Sequence, residues 1–139
     1  MSLAHQATCV AIGGRALMIE GAPGIGKSSL ALALIDRGAV LIGDDSVLLE
    51  LREGALYVQP HPRTRGLLEV RNLGLLPFPV CDEVPVALIV QLTSVAPRFI
   101  EAAAREERAG VSLPLIALEA HADALPLRAE LALARYGTV

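Results

Sequence analysis

The sequence predicts a single α/β domain, a mixed sheet with flanking helices. Three observations carry that prediction. The chain has 139 residues, the common size of one domain with one core. Hydrophobic residues make up 53% and charged residues 19%, too apolar for intrinsic disorder. Short apolar runs of strand length dominate the pattern, and one of them leads through a glycine loop into a helix.

The elements follow in order. Thr8 to Ile12 and Ala16 to Glu20 flank Gly13-Gly14, so two strands joined by a tight turn are predicted. A glycine loop comes next. The stretch KSSLALALIDR, Lys27 to Arg37, consists of good helix formers and closes at Gly38, a natural left-handed cap. Val40 to Gly43 reads as a buried strand ending at Asp44 and Asp45. Ser46 to Leu51 and Ala55 to Gln59 form a hairpin around Arg52-Glu53-Gly54. Pro60 to Gly66, PHPRTRG, breaks all periodicity and is predicted to be an exposed loop. Leu67 to Leu76 precedes a proline-rich bend at Pro77 and Pro79, and Val86 to Leu92 is the best candidate for a central strand. Helical patterns are read at Arg98 to Arg108 and at Pro126 to Arg135, where proline suits a first turn.

Composition narrows the function classes. With 22 Ala, 24 Leu, no Trp and four Phe plus Tyr, the core is aliphatic and offers little surface for stacking bases. A net charge of -3 gives no electrostatic footprint for duplex nucleic acid. No apolar run reaches the ~18 residues that cross a bilayer, and the N-terminus lacks a signal-peptide pattern, so a cytoplasmic protein with neither nucleic-acid nor membrane partner is expected. Cys9 and Cys81 match no metal spacing and read as reduced thiols.

The chemistry lies at Gly21, Ala22, Pro23, Gly24, Ile25, Gly26, Lys27 and Ser28. GAPGIGKS is a full G-x-x-x-x-G-K-S phosphate loop, or P-loop, and Lys27 is the chain's sole lysine. Its glycines let backbone N–H groups turn onto phosphates, the helix start adds its positive end, Lys27 reaches the β/γ oxygens and the Ser28 hydroxyl can ligate Mg²⁺. Asp44 and Asp45 stand at a strand's carboxyl end, where ligands of open α/β sheets gather. A carboxylate there can hold Mg²⁺ through water or accept a proton from an attacking hydroxyl; a turn or cap is the plainer alternative.

With GAPGIGKS, GDDSV at Gly43 to Val47 and RGLLEVRNLGLL at Arg65 to Leu76, residues 5 to 92 resemble the catalytic domain of the HPr kinase/phosphorylase family. The third block is the most specific, being similar to a family signature in which Glu-Ile-Arg-Gly-Leu-Gly follows a leucine pair. The resemblance implies an HPr kinase/PEP carboxykinase-like nucleotide-binding core, ATP and Mg²⁺ as cofactors, and phosphorylation of a serine on an HPr-like phosphocarrier. Ser28 and Glu69 would hold Mg²⁺, Lys27 would contact the transferred phosphate, and Asp45 would be the general base. His5 stands in the place of a family active-site histidine, and Arg98 matches a family arginine. A homo-oligomer, in the family a hexamer, is implied as well.

Besides Gln6, which follows His5 where the family has glycine and with a spacing to the loop one residue longer, the sequence departs from the family pattern in three places. Longer members carry an N-terminal domain, whereas this chain starts almost directly at the catalytic part, so regulation through that domain is not expected. The family's phosphorolysis segment, Pro-Val-Arg-Pro-Gly-Arg, is replaced by LPLIALE at Leu113 to Glu119, without either arginine. A site stripped of cations holds a phosphate dianion poorly, so phosphorylase activity is expected to be weak or absent. Asn72 replaces a family glycine, and asparagine is the next most tolerant of left-handed geometry. Two function classes follow: a protein serine kinase, favoured by the intact set Lys27, Ser28, Asp45 and Glu69, or a nucleotide-sensing module with little phosphoryl transfer.

Overall fold

A computed structural model of the protein describes residues 2–138. Strands β1 (Ser2–His5), β2 (Thr8–Ile12) and β3 (Arg15–Glu20) lead to helix α1 (Lys27–Asp36). Strands β4 (Val40–Gly43), β5 (Val47–Arg52), β6 (Ala55–Pro60), β7 (Leu67–Val70), β8 (Gly74–Pro77), β9 (Val84–Thr93), β10 (Ala104–Arg108) and β11 (Val111–Glu119) precede helix α2 (Leu125–Tyr136).

One sheet runs in the order β1-β5-β6-β9-β3-β2-β4, with β11 also beside β9 and β10 beyond β11; β7 and β8 form a separate hairpin. The ten-residue β9 is the hub. It pairs parallel with β3 and β11 and antiparallel with β6, so the sheet is mixed, as the sequence predicts. Because β3, β9 and β11 run the same way, their carboxyl ends share one edge of the sheet, and the glycine loop leaves from there.

Strand periodicity divides the core into two faces. Along β3, Leu17 and Ile19 face the helices while Ala16 and Met18 face the curl of β5 and β6, and all four are fully buried. Leu30, Ala31 and Leu34 of α1 and Ala129, Ala132 and Leu133 of α2 cover the first face. The second face closes over Val47, Leu49, Leu56 and Val58. A strand buried on both sides reads as a continuous apolar run rather than an alternation, which is why Val86 to Leu92 stood out. Each large aliphatic side chain removed from water contributes about 1.5–3 kcal/mol.

Local signals set the turns. Gly13 and Gly14 (φ 58° and 83°) and Glu53 and Gly54 (φ 50° and 81°) close the two predicted hairpins in the left-handed geometry that two-residue turns require. Helix α1 stops as predicted at Gly38 (φ 109°): Gly38 N–H donates to Ile35 and Ala39 N–H to Leu34, each at 3.0 Å, the Schellman arrangement.

One expectation changes, and two strands form that the sequence reading does not contain. The helix read at Arg98 to Arg108 does not form; 94–103 is irregular and Ala104–Arg108 is strand β10, paired antiparallel with β11. Alanine-rich helix propensity, worth tenths of a kcal/mol per residue, loses to the edge pairing, because the segment has no apolar stripe to bury as a helix. Strand β11 was hidden by Pro114, which is tolerated because the parallel pairing with β9 begins only at Leu115. Strand β1, largely exposed, carries no burial pattern from which it could be read.

Candidate active site

The glycine loop joins β3 to α1. Gly26 caps the helix with φ 118° and accepts the Leu30 N–H at 3.0 Å, so the free N–H groups of the first turn open toward the cleft. Gly21 is required on steric grounds: a Cβ there would lie 2.9 Å from the Leu92 carbonyl oxygen and 3.0 Å from Ile25 Cγ2. Lys27 is 9% exposed, and its ammonium donates to the carbonyls of Gly21 at 2.8 Å and Ala22 at 3.1 Å. The loop thus holds its own lysine beside the phosphate cradle.

Above it lies a cleft of about 490 Å³ lined by the loop, by Thr8, Asp44 and Asp45, and by Arg63, Glu69 and Arg71. Asp44 and Asp45 follow β4 side by side but have separate surroundings. Asp44 is buried; its Oδ1 accepts from the Ser28 hydroxyl at 2.7 Å and the Thr8 hydroxyl at 3.0 Å, and its Oδ2 accepts from Glu69 N–H at 2.9 Å. Asp45 is exposed and has φ 65°, an uncommon backbone for a non-glycine residue and one that recurs at functional sites. Its N–H donates to Thr8 Oγ1 at 3.1 Å, and Gln6 Nε2 stands 3.5 Å from its carboxylate. Sequence reasoning singled out Asp45 and left Asp44 unassigned; the signal available was the spacing from Ser28, which put both aspartates within reach.

The β7–β8 hairpin brings Glu69, its side chain exposed, to the cleft, and Asn72 turns that hairpin at φ 76°, as its tolerance of left-handed geometry predicts. Arg63 and Thr64, from the loop that interrupts the sequence pattern, also line the cleft, and Thr64 Oγ1 is buried without a hydrogen-bond partner. Arg65 pairs instead with Asp82 at 2.5 Å.

The donor set suits Mg²⁺. Ser28 gives its proton to Asp44 and keeps lone pairs free, Glu69 adds a carboxylate, and hard oxygen ligands are what Mg²⁺ takes. Among the described residues no three His, Cys, Asp or Glu side chains cluster as a metal site by themselves, so the remaining positions would fall to phosphate and water.

Two predicted residues lie apart from this cleft. His5, ending β1, hydrogen-bonds Glu20 at 2.7 Å and lines a neighbouring hollow with Gln6, Asp45 and Ser46. Arg98 is exposed in the irregular segment after β9, at the loop's edge of the sheet, and does not line the cleft.

Residues 2–109 match the family model described as the HPr Serine kinase C-terminal domain. The chain belongs to this family. Relatives described as HPr kinase/phosphorylase agree: that of Mycoplasma mycoides is 33% identical over 95 residues (63% of this chain, 30% of the relative), and that of Clostridium tetani 46% identical over 66 residues (48% and 22%). The chain therefore spans less than a third of these relatives' length. A solved structure of the Hpr(Ser) kinase/phosphatase from Coxiella burnetii is 26% identical with a TM-score of 0.81, over 95% of this chain and 94% of that one. The HPr kinase-type α/β core, with its large mixed sheet and few helices, is thus the fold of this chain. No helix among the described residues is long and apolar enough to cross a membrane.

Proposed function

We propose that this protein is an ATP- and Mg²⁺-dependent serine kinase of an HPr-like phosphocarrier, with weak or absent phosphorylase activity. One observation carries the reading: the Lys27, Ser28, Asp44, Asp45 and Glu69 side chains converge on a single cleft beside the phosphate loop. When bound, ATP supplies the phosphoryl group and Mg²⁺ neutralises charge on its β and γ oxygens.

The chain's residues then divide the work. Backbone N–H groups of the loop and the Lys27 ammonium hold the phosphates. Ser28 and Glu69 hold the metal, with Asp44 fixing Ser28. Both Asp44 oxygens are already committed to three donors, so Asp45, with its exposed carboxylate, is the group that orients the incoming serine hydroxyl and takes its proton. Catalysis on this reading is positioning plus electrostatics. Strand β11 carries no arginine, which supports weak phosphorolysis.

The deciding experiment incubates the protein with γ-labelled ATP, Mg²⁺ and an HPr-type carrier, beside the same carrier with its serine replaced. Label confined to the serine-bearing carrier is expected. Nucleotide binding without transfer favours a sensing module instead, and phosphate-dependent release of pyrophosphate from phosphocarrier at a rate matching phosphorylation overturns the proposed direction of catalysis.

A further inference from the structure

Behind the phosphate loop sits a cluster of ionisable groups that the proposed chemistry does not use. Glu20, the last residue of β3, precedes Gly21, whose carbonyl holds Lys27. Its side chain is 12% exposed and takes two partners from distant strands. Arg108, at the end of β10, donates from Nη2 to Oε1 at 2.6 Å and from Nε to Oε2 at 3.0 Å, a fork that fixes the carboxylate in plane as well as in position. His5, from β1, meets Oε2 at 2.7 Å.

The consequences reach the site. An ionised carboxylate can only accept, so the His5 proton facing it is on Nε2, and the bond fixes the ring of a residue that lines a hollow together with Asp45. Gln6, next in the chain after His5, reaches toward Asp45. Glu20 therefore joins the root of the phosphate loop to the wall that carries the proposed base, and Arg108 holds Glu20 from the far hairpin.

We propose that Glu20 and Arg108 are positioning residues: Arg108 fixes the Glu20 carboxylate, and Glu20 in turn fixes the start of the phosphate loop and the ring of His5, which lines the same hollow as Asp45. Phosphate binding is spread over many loop N–H groups and tolerates a small displacement, whereas transfer depends on the geometry between loop and acceptor wall. The loss of Arg108 or Glu20 thus falls on turnover more than on nucleotide affinity.

The test compares wild type with Arg108→Gln, Glu20→Gln and the conservative Arg108→Lys. For the two Gln variants kcat for transfer to an HPr-type carrier is expected to drop on the order of 10–100-fold, with KM for ATP changed less than about 3-fold. Arg108→Lys is expected to recover part of the rate, since it keeps the charge but not the fork. This readout rests on the kinase reading; a second one does not. The ¹⁵N ring signals of His5, assigned by their loss in His5→Asn, are expected to move in Arg108→Gln although the structure gives Arg108 no hydrogen bond to His5. A His5 signal unmoved in folded Arg108→Gln overturns the proposal whatever the rates. So does a loss of rate that is matched in ATP affinity and tracks a lower melting temperature, which marks a merely structural pair. If wild type transfers no phosphate, the kinase reading alone falls and the His5 signal still decides this one.

Discussion

Asp44 Oδ1 accepts the Ser28 hydroxyl at 2.7 Å, across 16 residues of sequence. The bond ties the end of β4 to the end of the phosphate loop, and the Thr8 hydroxyl and Glu69 N–H complete the arrangement. Removing the carboxylate strands three donors at once. Asp44→Ala is expected to cost about 2–4 kcal/mol and to raise the Mg²⁺ concentration needed for nucleotide binding. Urea unfolding at unchanged m-value checks the first and nucleotide titration at several Mg²⁺ concentrations the second.

Asp45 shares the strand end but not the bonds. On the proposed division of roles, Asp45→Asn lowers phosphoryl transfer on the order of 10²–10⁴-fold while leaving ATP affinity within a few-fold. Lys27→Ala is expected to reduce both. Parallel measurement of ATP Kd and single-turnover transfer separates the two; equal loss of binding and transfer in Asp45→Asn speaks against a base.

Gly43 precedes the pair without room for a side chain. A Cβ there would stand 2.7 Å from Val47 Cγ1 and 2.9 Å from the Ser46 carbonyl oxygen. Gly43→Ala is expected to destabilise the fold by about 1–3 kcal/mol through overpacking. A wild-type melting temperature in that variant contradicts the close approach.

Burial pushes the Glu20 carboxyl up, but the hydrogen bonds from His5 and Arg108 outweigh it and hold the pKa down to about 2, from an ordinary 4.5. A folded pKa below the unfolded one stabilises the protein above pH 4.5, by about 3 kcal/mol at full value and on the order of 2 kcal/mol once solvent screening of this partly exposed group is allowed for, and that gain is lost as pH falls toward 2. The stability difference between wild type and Glu20→Gln is therefore expected to be full at pH 7 and to shrink between pH 4.5 and 2. Urea midpoints across that range test the sign.

The two free thiols lie in different surroundings. Cys9 is fully buried, and burial together with the nearby Glu20 charge pushes its pKa up, while Cys81 is only half-buried. Alkylation of the native protein is expected to label Cys81 first and to leave Cys9 intact until the protein unfolds, since the thiolate is the reactive form. Mass mapping of the labelled peptides reads the order.

Much of this site was legible in the sequence because its signals are contiguous. GAPGIGKS specifies its own turn and helix start, and the register of β2 with β3 follows from Gly13-Gly14. The proline-rich segment 60–66 was legible as a loop, and its arginines near Glu69 in sequence pointed it toward nucleotide or protein substrate; that Arg63 lines the cleft while Arg65 turns to Asp82 was not legible, since nothing local says where each side chain lies.

By itself, then, the sequence determined the strand–loop–helix unit, the mixed sheet and the carboxylates within reach of the loop, for these depend on neighbouring residues and on burial of apolar runs. Tertiary structure alone decided which aspartate is spent on hydrogen bonds and which stays free, because Thr8, Ser28 and Glu69 reach Asp44 from three separate elements. It also turned Ala104–Arg108 into strand, since pairing with β11 outweighs helix propensity, and it joined Arg108 to Glu20 across 88 residues, a contact that no local pattern encodes.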